Sequence, residues 1–549
     1  MTAAKAGPAG AAGNAGNTKL ILLTLAAGQF LMALDSSVMN VSIATVAEDI
    51  GTTVSGMQGA ITAYTLVMAM LMISGGKVGA LIGRKRAFMI GCVIYGLGSL
   101  TTSLAPNLTV LLLGWSFLEG VGAALILPAI VALVASNFGK EQRPAAYGLV
   151  AAAAAVAIAV GPLIGGAATT FFSWRWVFAG EVVMVLVILL LARPITDAPP
   201  EHRPRIDVLG AILSAAGIGL FVFGILRTSE WGWFRPKAGG PSWFGVSPVV
   251  WLVMAGLMLV WLFFRWEARL VARGTEPLVD PDLLKNRQLS GGLTMFLFQY
   301  LVQMGVFFVV PLYLSVALGL SALHTGALIL PLSITLLAAA IGVPRFSPNA
   351  SPRRVVRWGI LAMFAGAAIL MGALTPDSGA EVVTVPMLLI GLGIGLLASQ
   401  LGAVTVSAVP DEQSAEVGGI QNTVTNLGAS IGTALAGSIM IAVLTSSFLT
   451  TVDQNPAIPA DVKTHAHTAL AGSAPFLSDE QLTTALEEAG TDPVVAQAAL
   501  DANEKARIEG LRAALALLAL AALLALFFTQ RIPAAQPSAA RGPAGAAPS

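Results

Sequence analysis

Apolar runs of membrane-spanning length recur along almost the whole chain, and polar residues collect in the stretches between them. Windows of about 20 apolar residues, the length a helix needs to cross a bilayer, mark roughly fourteen segments: 20–45, 56–76, 87–105, 108–136, 145–170, 176–193, 207–228, 248–266, 289–315, 325–346, 355–374, 384–408, 414–447 and 508–530. In lipid every backbone polar group must be satisfied internally, so runs of this length predict an all-α polytopic membrane protein. Three carboxyls interrupt the runs: Asp35, Glu119 and Glu181. An isolated charge at the bilayer centre costs at least about 2.5 to 3.5 kcal/mol on insertion scales, so a chain that keeps one commonly uses it, and moving protons or cations is the use it suggests.

Composition sharpens this picture. Of 549 residues, 56% are hydrophobic and only 11% charged, against about 25% charged in soluble domains. A net charge of +1 leaves no basic field for nucleic acid. The single cysteine, Cys92, lies in an apolar run, can form neither an intrachain disulfide nor a multi-thiolate metal site, and reads as core filler. An even number of spans puts both termini on one side. The Lys/Arg excess then names that side as cytoplasmic: Lys5, Arg84, Lys85, Arg86, Lys140, Arg203, Arg205, Arg353, Arg354, Arg357 and Arg541 fall on it, whereas Arg175, Arg227 and Lys463 fall opposite. The Ala/Gly-rich start (1–18) and the tail (531–549) read as disordered, and the start lacks the apolar core and cleavage site of a signal peptide.

Two polar stretches break the pattern. Residues 229–247 form an outer loop whose aromatics suit the membrane interface. Residues 450–507 carry helix signals: Ser478 with Gln481 is a capping-box pair, and Asp492 before Pro493 places an N-cap ahead of proline at the first helical position. His465 and His467 lie in it with no third ligand in view, so no metal is expected. Enzyme signatures are absent: there is no HExxH and no phosphate-binding loop, and GLGIG (391–395) sits inside an apolar span rather than after a soluble strand. The chain reads as no enzyme, needing no cofactor, with its energy drawn from an ion gradient.

The chain also repeats itself weakly. GRKRAF (83–88) precedes the third span and PRRVV (352–356) the eleventh, each the third of a six-span block. Such correspondence marks transporters built from duplicated bundles, with the substrate site at the pseudo-symmetric interface. The division expected is a six-helix bundle over 19–193, an inserted two-helix segment over 194–288, and a second six-helix bundle over 289–530 that includes the outer segment 450–507.

Taken together, these features resemble the major facilitator superfamily, specifically its 14-span drug/proton antiporter branch, over about residues 19–447 and the final span. LDSSVMNVSIATVAEDI (34–50) is similar to that branch's L-D-x-T-[IV]-V-N-V-A-L-P signature, with Asp35 as its acid. In the fifth span Gly161, Pro162, Gly165 and Gly166 match the antiporter motif G-x-x-x-G-P-x-x-G-G, with Ala157 in place of the first glycine, and Trp174, Arg175 and Trp176 follow. The loop G-x-L-x-D-R-x-G-R-[RK] survives in Gly76, Gly83, Arg84, Lys85 and Arg86, but its Asp and Arg are replaced by Ala80 and Leu81, so the basic cluster must lean on other contacts. In the fourth span, where the family has R-x-x-Q-G-x-G-A-A, Ser116 and Glu119 replace Arg and Gln; Glu181 stands where relatives commonly carry asparagine.

The resemblance implies alternating access between the bundles, antiport of amphipathic or cationic small molecules against protons, and a monomer in a bacterial cell membrane, in contact with membrane lipids. Asp35, Glu119 and Glu181 are the candidates for proton coupling. Glu119 has no basic neighbour in its span; Glu181, close to the outer end of a span that the family places at the periphery, suits a rim or structural position. Polar and adaptable residues within spans supply a tentative substrate cavity: Gln29, Met32, Asn40 and Tyr64 in the first bundle, and Gln299, Gln303, Gln400, Asn422 and Asn426 in the second. The alternatives are a cell-envelope lipid or self-made antibiotic as cargo on the same fold, and a non-transporting receptor acting through 450–507.

Overall fold

The computed structural model describes residues 8–138, 142–197, 207–237, 240–409, 414–456, 458–470 and 475–536. Among them fourteen long helices follow the apolar runs: α1 (Pro8–Asp49), α2 (Val54–Ile82), α3 (Arg84–Ser103), α4 (Leu108–Asn137), α5 (Arg143–Phe171), α6 (Arg175–Leu191), α7 (Val208–Leu226), α8 (Pro248–Ala272), α9 (Arg287–Ala317), α10 (Ala322–Phe346), α11 (Pro352–Ala373), α12 (Ala380–Val406), α13 (Ser414–Gln454) and α14 (Pro493–Phe528). Twelve are long and apolar enough to cross a membrane. The other two, α3 and α6, occupy the expected third and sixth positions; α3 opens on Arg84, Lys85 and Arg86 and carries Ser and Thr, and α6 has 17 residues. Helix α1 already runs from Pro8, inside the stretch expected to be a tail. Residues 1–7 and 537–549, with Lys5 and Arg541, and the loop residues Lys140, Arg203 and Arg205 lie outside the described residues.

Packing repeats between the two halves. Helix α1 lies along α5 as α9 lies along α13; α3 packs on α4 and α6 as α11 packs on α12 and α14. The halves meet where α2 packs on α13 and α5 on α10, while the pair α7 and α8 leans on α2 and α13 through α7. The basic repeat has the same job in each half. Lys85 Nζ donates to the Arg193 carbonyl just past α6 at 2.8 Å, and Arg353 Nε donates to the Ile532 carbonyl just past α14 at 2.8 Å. Each third helix thus clasps the end of the sixth.

Contacts between the halves concentrate at the end of the bundle where α1 ends and α2 begins. Gln58 Nε2 donates to the Ala434 carbonyl at 3.0 Å, Ser430 Oγ to Thr62 O at 3.0 Å, and the Leu323 amide to Thr170 Oγ1 at 3.1 Å. A Cβ added at Gly166 would sit 2.8 Å from Leu323 Cα, and one at Gly326 would sit 2.7 Å from the Pro162 carbonyl carbon, so the backbones of α5 and α10 touch through glycine. At the opposite end the halves splay only in part: an added Cβ at Gly148 of α5 or Gly419 of α13 meets nothing within 4 Å and Phe346 at the end of α10 is exposed, but one at Gly418 would still lie 3.5 Å from Val131 of α4.

The stretch between α13 and α14 folds into two short helices, Ala460–Ala469 and Asp479–Glu488. Ser478 and Gln481 form the expected capping box, and Asp492 Oδ1 accepts from the Val494 amide at 2.9 Å. Buried Arg507 of α14 holds this cap down through Asp479 at 2.7 Å and the Leu477 carbonyl at 3.0 Å. His467 pairs with Asp453; the side chain of His465 is outside the described set.

Candidate functional site

Asp35, Glu119 and Glu181 converge. They come from α1, α4 and α6, are 0%, 0% and 1% exposed, and present one carboxyl oxygen each within 4.8 Å of one another. This corrects the rim position expected for Glu181: α6 turns it inward onto α3, where it lies buried beside the other two acids. The third helix supplies the floor. Glycines let α3 and α4 approach closely, since a Cβ at Gly98 would sit 2.6 Å from Glu119 Cγ and one at Gly122 would sit 2.8 Å from the Tyr95 amide. The turn leading to Glu119 is wound as a π-helix over Leu112–Glu119, a widening that re-aims the side chains at its end.

Each acid has one oxygen held. Trp115 Nε1 donates to Asp35 Oδ1 at 2.8 Å, Thr102 Oγ1 to Glu119 Oε1 at 3.2 Å, and Ser99 Oγ and Tyr95 Oη to Glu181 Oε2 at 3.2 and 3.4 Å. The Tyr64 ring stacks on Trp115, centroids 5.1 Å apart and planes 10° from parallel. The second oxygens, Asp35 Oδ2, Glu119 Oε2 and Glu181 Oε1, are buried without a hydrogen-bond partner, and so is the Tyr64 hydroxyl. Helices α1 to α6 carry Lys and Arg only toward the ends of their apolar spans; Arg175, at the start of α6, is committed to Asp49 and the Ala105 carbonyl. The three carboxyls thus meet in a shell of neutral donors, with no Lys or Arg side chain bonded to any of them.

Between the halves, on a different face of α1 from Asp35, lies a small cleft lined by Ser37, Asn40, Val41, Pro162, Phe307, Pro311 and Ile329. Along α9, Gln299 and Gln303 continue Phe307 and Pro311 at four-residue steps and so share one stripe. Asn40 Oδ1, Gln299 Oε1 and Gln303 Oε1 are buried without a donor. Met32 is buried on α1 and Gln29 half-buried one turn before it. The other predicted cavity residues are tied up locally: Asn426 Nδ2 donates to the Asn422 carbonyl one turn back, and Gln400 Oε1 accepts from Gln536 at 3.0 Å near the end of α12, away from the groove.

A family model for the Major Facilitator Superfamily matches residues 25–433. The chain belongs to that superfamily. As a superfamily member it is a multi-pass membrane transporter for a small molecule, not an enzyme. It is 29% identical to the puromycin resistance protein pur8 of Streptomyces alboniger over 81% of this chain and 86% of that protein. It is 27% identical to the tetracenomycin C resistance and export protein of Streptomyces glaucescens over 76% and 75% of the two chains. Among solved structures it is similar to a bacterial homologue of the human lysosomal transporter Spinster, inward-facing and unoccupied, with a TM-score of 0.57 at 14% identity over 94% of this chain and 98% of that one.

Two superfamily motifs gain a physical account. In the antiporter motif, Gly161 and Gly165 face α1, where an added Cβ would sit 2.5 Å from Ser37 Cβ and 2.9 Å from Val38 Cα, while Pro162 and Gly166 face α10. One motif therefore sets both the packing of α5 inside its half and the contact across halves. At the basic loop, where Ala80 carries no acid, a carboxylate comes instead from Asp197, which follows α6. Its carboxylate accepts from the Arg84 and Lys85 amides at 2.9 and 3.2 Å, capping α3. Gly83, with φ 102°, makes room for it. Sequence reading missed Asp197, Trp115, Tyr95, Ser99 and Thr102. A signal for the last three existed, since 95, 99 and 102 form one polar stripe on α3 at helical spacing.

Proposed function

We propose that this protein is a proton-coupled exporter of amphipathic, cationic small molecules, working by alternating access between the halves 19–193 and 289–530. The observation that carries the reading is a field of buried acceptors without donors. The amide oxygens of Asn40, Gln299 and Gln303 are buried at or near the inter-half cleft and the carboxyl cluster lies inside the first half, and an ammonium-bearing cargo is the ligand that such acceptors stabilise. Helix α1 carries Asp35 on one face and the cleft residues Ser37, Asn40 and Val41 on another, which supports coupling of protonation to cargo through that helix. One charge crossing the membrane potential gains about 2.3 kcal/mol per 100 mV. With both ends of the chain cytoplasmic, as the Lys/Arg excess supports, the closed end of the bundle is the outer one and the splayed end opens inward. In this reading the protein acts as a monomer in a bacterial cell membrane, bathed by its lipids.

The names of its relatives narrow the cargo. Two of them are named for resistance to or export of puromycin and tetracenomycin C, which supports an antibiotic-like molecule, self-made or foreign, over an envelope lipid. The test is reconstitution in liposomes under an imposed pH gradient with a panel of dyes, antibiotics and lipids. Gradient-driven movement of cationic dyes or antibiotics is expected. Movement of lipid alone, or of nothing, would overturn the reading.

A further inference from the structure

We propose that Asp35, Glu119 and Glu181 together hold two protons in the closed, dry cluster, one on each glutamate, with the one remaining negative charge on Asp35, so that a transport cycle exchanges two protons. The proposal rests on the proton-coupled reading above and adds its stoichiometry and the place of each proton.

Hydrogen-bond inventory decides the number. One oxygen of each acid already faces a protein donor, and the other, Asp35 Oδ2, Glu119 Oε2 and Glu181 Oε1, faces none although fully buried. With no proton, three charges meet with one oxygen each within 4.8 Å of the others, relieved only by the donors that hold one oxygen of each acid. With one proton, two adjacent charges remain. With two, the glutamate O–H groups become donors and the bare Asp35 Oδ2, which has two lone pairs, accepts both. With three, no carboxylate acceptor is left. Two is the occupancy that offers every bare carboxyl oxygen a partner, with the Tyr64 hydroxyl as a further donor in the same space.

The shell also says which acid keeps the charge. An indole N–H donates and cannot accept, and the Trp115 bond to Asp35 is 2.8 Å, in the range of charge-assisted bonds. The glutamates instead face hydroxyls that also serve their own helix. Thr102 Oγ1 lies 2.8 Å from the Gly98 carbonyl and 3.2 Å from Glu119; Ser99 Oγ lies 3.2 Å from both the Tyr95 carbonyl and Glu181. Thr102 and Ser99 each have one hydrogen for two acceptors, and the further donor to Glu181, Tyr95 Oη, stands at a long 3.4 Å, so neither glutamate has a bond as short as that of the indole to Asp35. Tyr64, from α2, turns an unpartnered hydroxyl into the same space, and Tyr95 of α3 is the other titratable group facing it. A metal cation is the competing occupant of the same three bare oxygens, and the sodium and calcium arm of the test below separates the two. When water enters from the splayed side, Glu119 and Glu181 each pass their proton to water and the three carboxylates become hydrated; reloading from the other side restores the two O–H groups.

Two measurements on the intact protein test this separately. Infrared difference spectra of detergent-solubilised protein across an alkaline titration count protonated carboxyls without any need for transport. Glu119→Gln and Glu181→Gln should each remove one carboxyl's worth of the band, whereas Asp35→Asn should remove none. In proteoliposomes at zero membrane potential with a one-unit pH gradient, ethidium should reach a gradient of about a hundredfold in the parent and about tenfold in either glutamine variant, a factor of about ten per coupled proton. Loss of the band in Asp35→Asn, no loss in a glutamine variant, or a change in the band on adding sodium or calcium would overturn the assignment. A parent gradient of about tenfold would overturn the stoichiometry. If ethidium ignores the pH gradient while the infrared count holds, the exporter reading fails and the two-proton cluster stands.

Discussion

The two halves of this transporter share one packing scheme and differ in what they bury at its centre. Over 19–193 three carboxyls are sealed together, with a π-helical turn and paired glycines to aim them. Over 289–530 no carboxyl is buried among the described residues; the corresponding interior holds Gln299 and Gln303, and buried Arg507 sits at the cap. A duplicated bundle needs only one titrating half. The other half can offer neutral acceptors to the cargo, which cost less to bury than charges, and serve as the wall against which the first half rocks.

Removing the charge from the titrating half is the hardest test of that contrast. Asp35→Asn should abolish gradient-driven export, a loss of at least about a hundredfold if both coupling and cargo neutralisation pass through it, with the melting temperature within a few degrees of the parent. Equal export by the variant for every cargo would break the division between the halves. The next test is at their contact. Gly166→Leu puts a branched chain where the Ala322 and Leu323 backbone already lies, and overpacking of this kind costs about 1 to 3 kcal/mol. Cysteine labelling should show the closed end becoming accessible, with transport falling at least about tenfold. Gly419→Leu, at the splayed end, should do neither in the same state. Similar labelling of both variants would mean that glycine contact does not set the closed state.

A smaller effect is expected from the clasps, where the halves again differ in kind. Asp197 caps α3 with a carboxylate, while Arg353 and Arg357 reach a backbone carbonyl and Thr529 Oγ1. Losing an N-cap acid costs about 0.5 to 2 kcal/mol, so Asp197→Ala should raise accessibility at the splayed end by a few-fold, and Asp197→Asn, which keeps an acceptor, should recover most of it. If Asp197→Ala labels like the parent, the latch lost at Ala80 has no replacement here.

Much of this architecture was legible in the chain, because apolar length and basic loops are local signals. Fourteen helices at the expected places, the capping box at Ser478 and the glycine motif of α5 need only short stretches to be read. The cluster was not legible, for two reasons. Glu181 was placed by its distance from the end of a span, but burial depends on which face of α6 meets α3, and that is a matter of helix rotation which hydropathy does not encode. Glu119 gains its aim from a π-turn over Leu112–Glu119 that no residue there announces. Asp197 was out of reach for a third reason: it bonds to the Arg84 and Lys85 amides from more than a hundred positions away in sequence.

The smallest predicted effect probes the neutral half. Gln303 sits on the α9 stripe that leads to Phe307 and Pro311 at the groove, and its Oε1 is buried without a donor. If that oxygen waits for an N–H of the cargo, Gln303→Leu removes one hydrogen bond to a charged group, worth about 1.5 to 3 kcal/mol when made but partly offset by no longer leaving an acceptor unpaired in the empty protein. The net expectation is a rise in apparent KM of about three- to tenfold for cationic cargo, at unchanged proton stoichiometry. A neutral cargo of the same size should respond less, since its N–H bond is the weaker one. Should Gln303→Leu instead alter the number of protons per cargo, the second half takes part in coupling, and the contrast drawn between the halves would have to be given up.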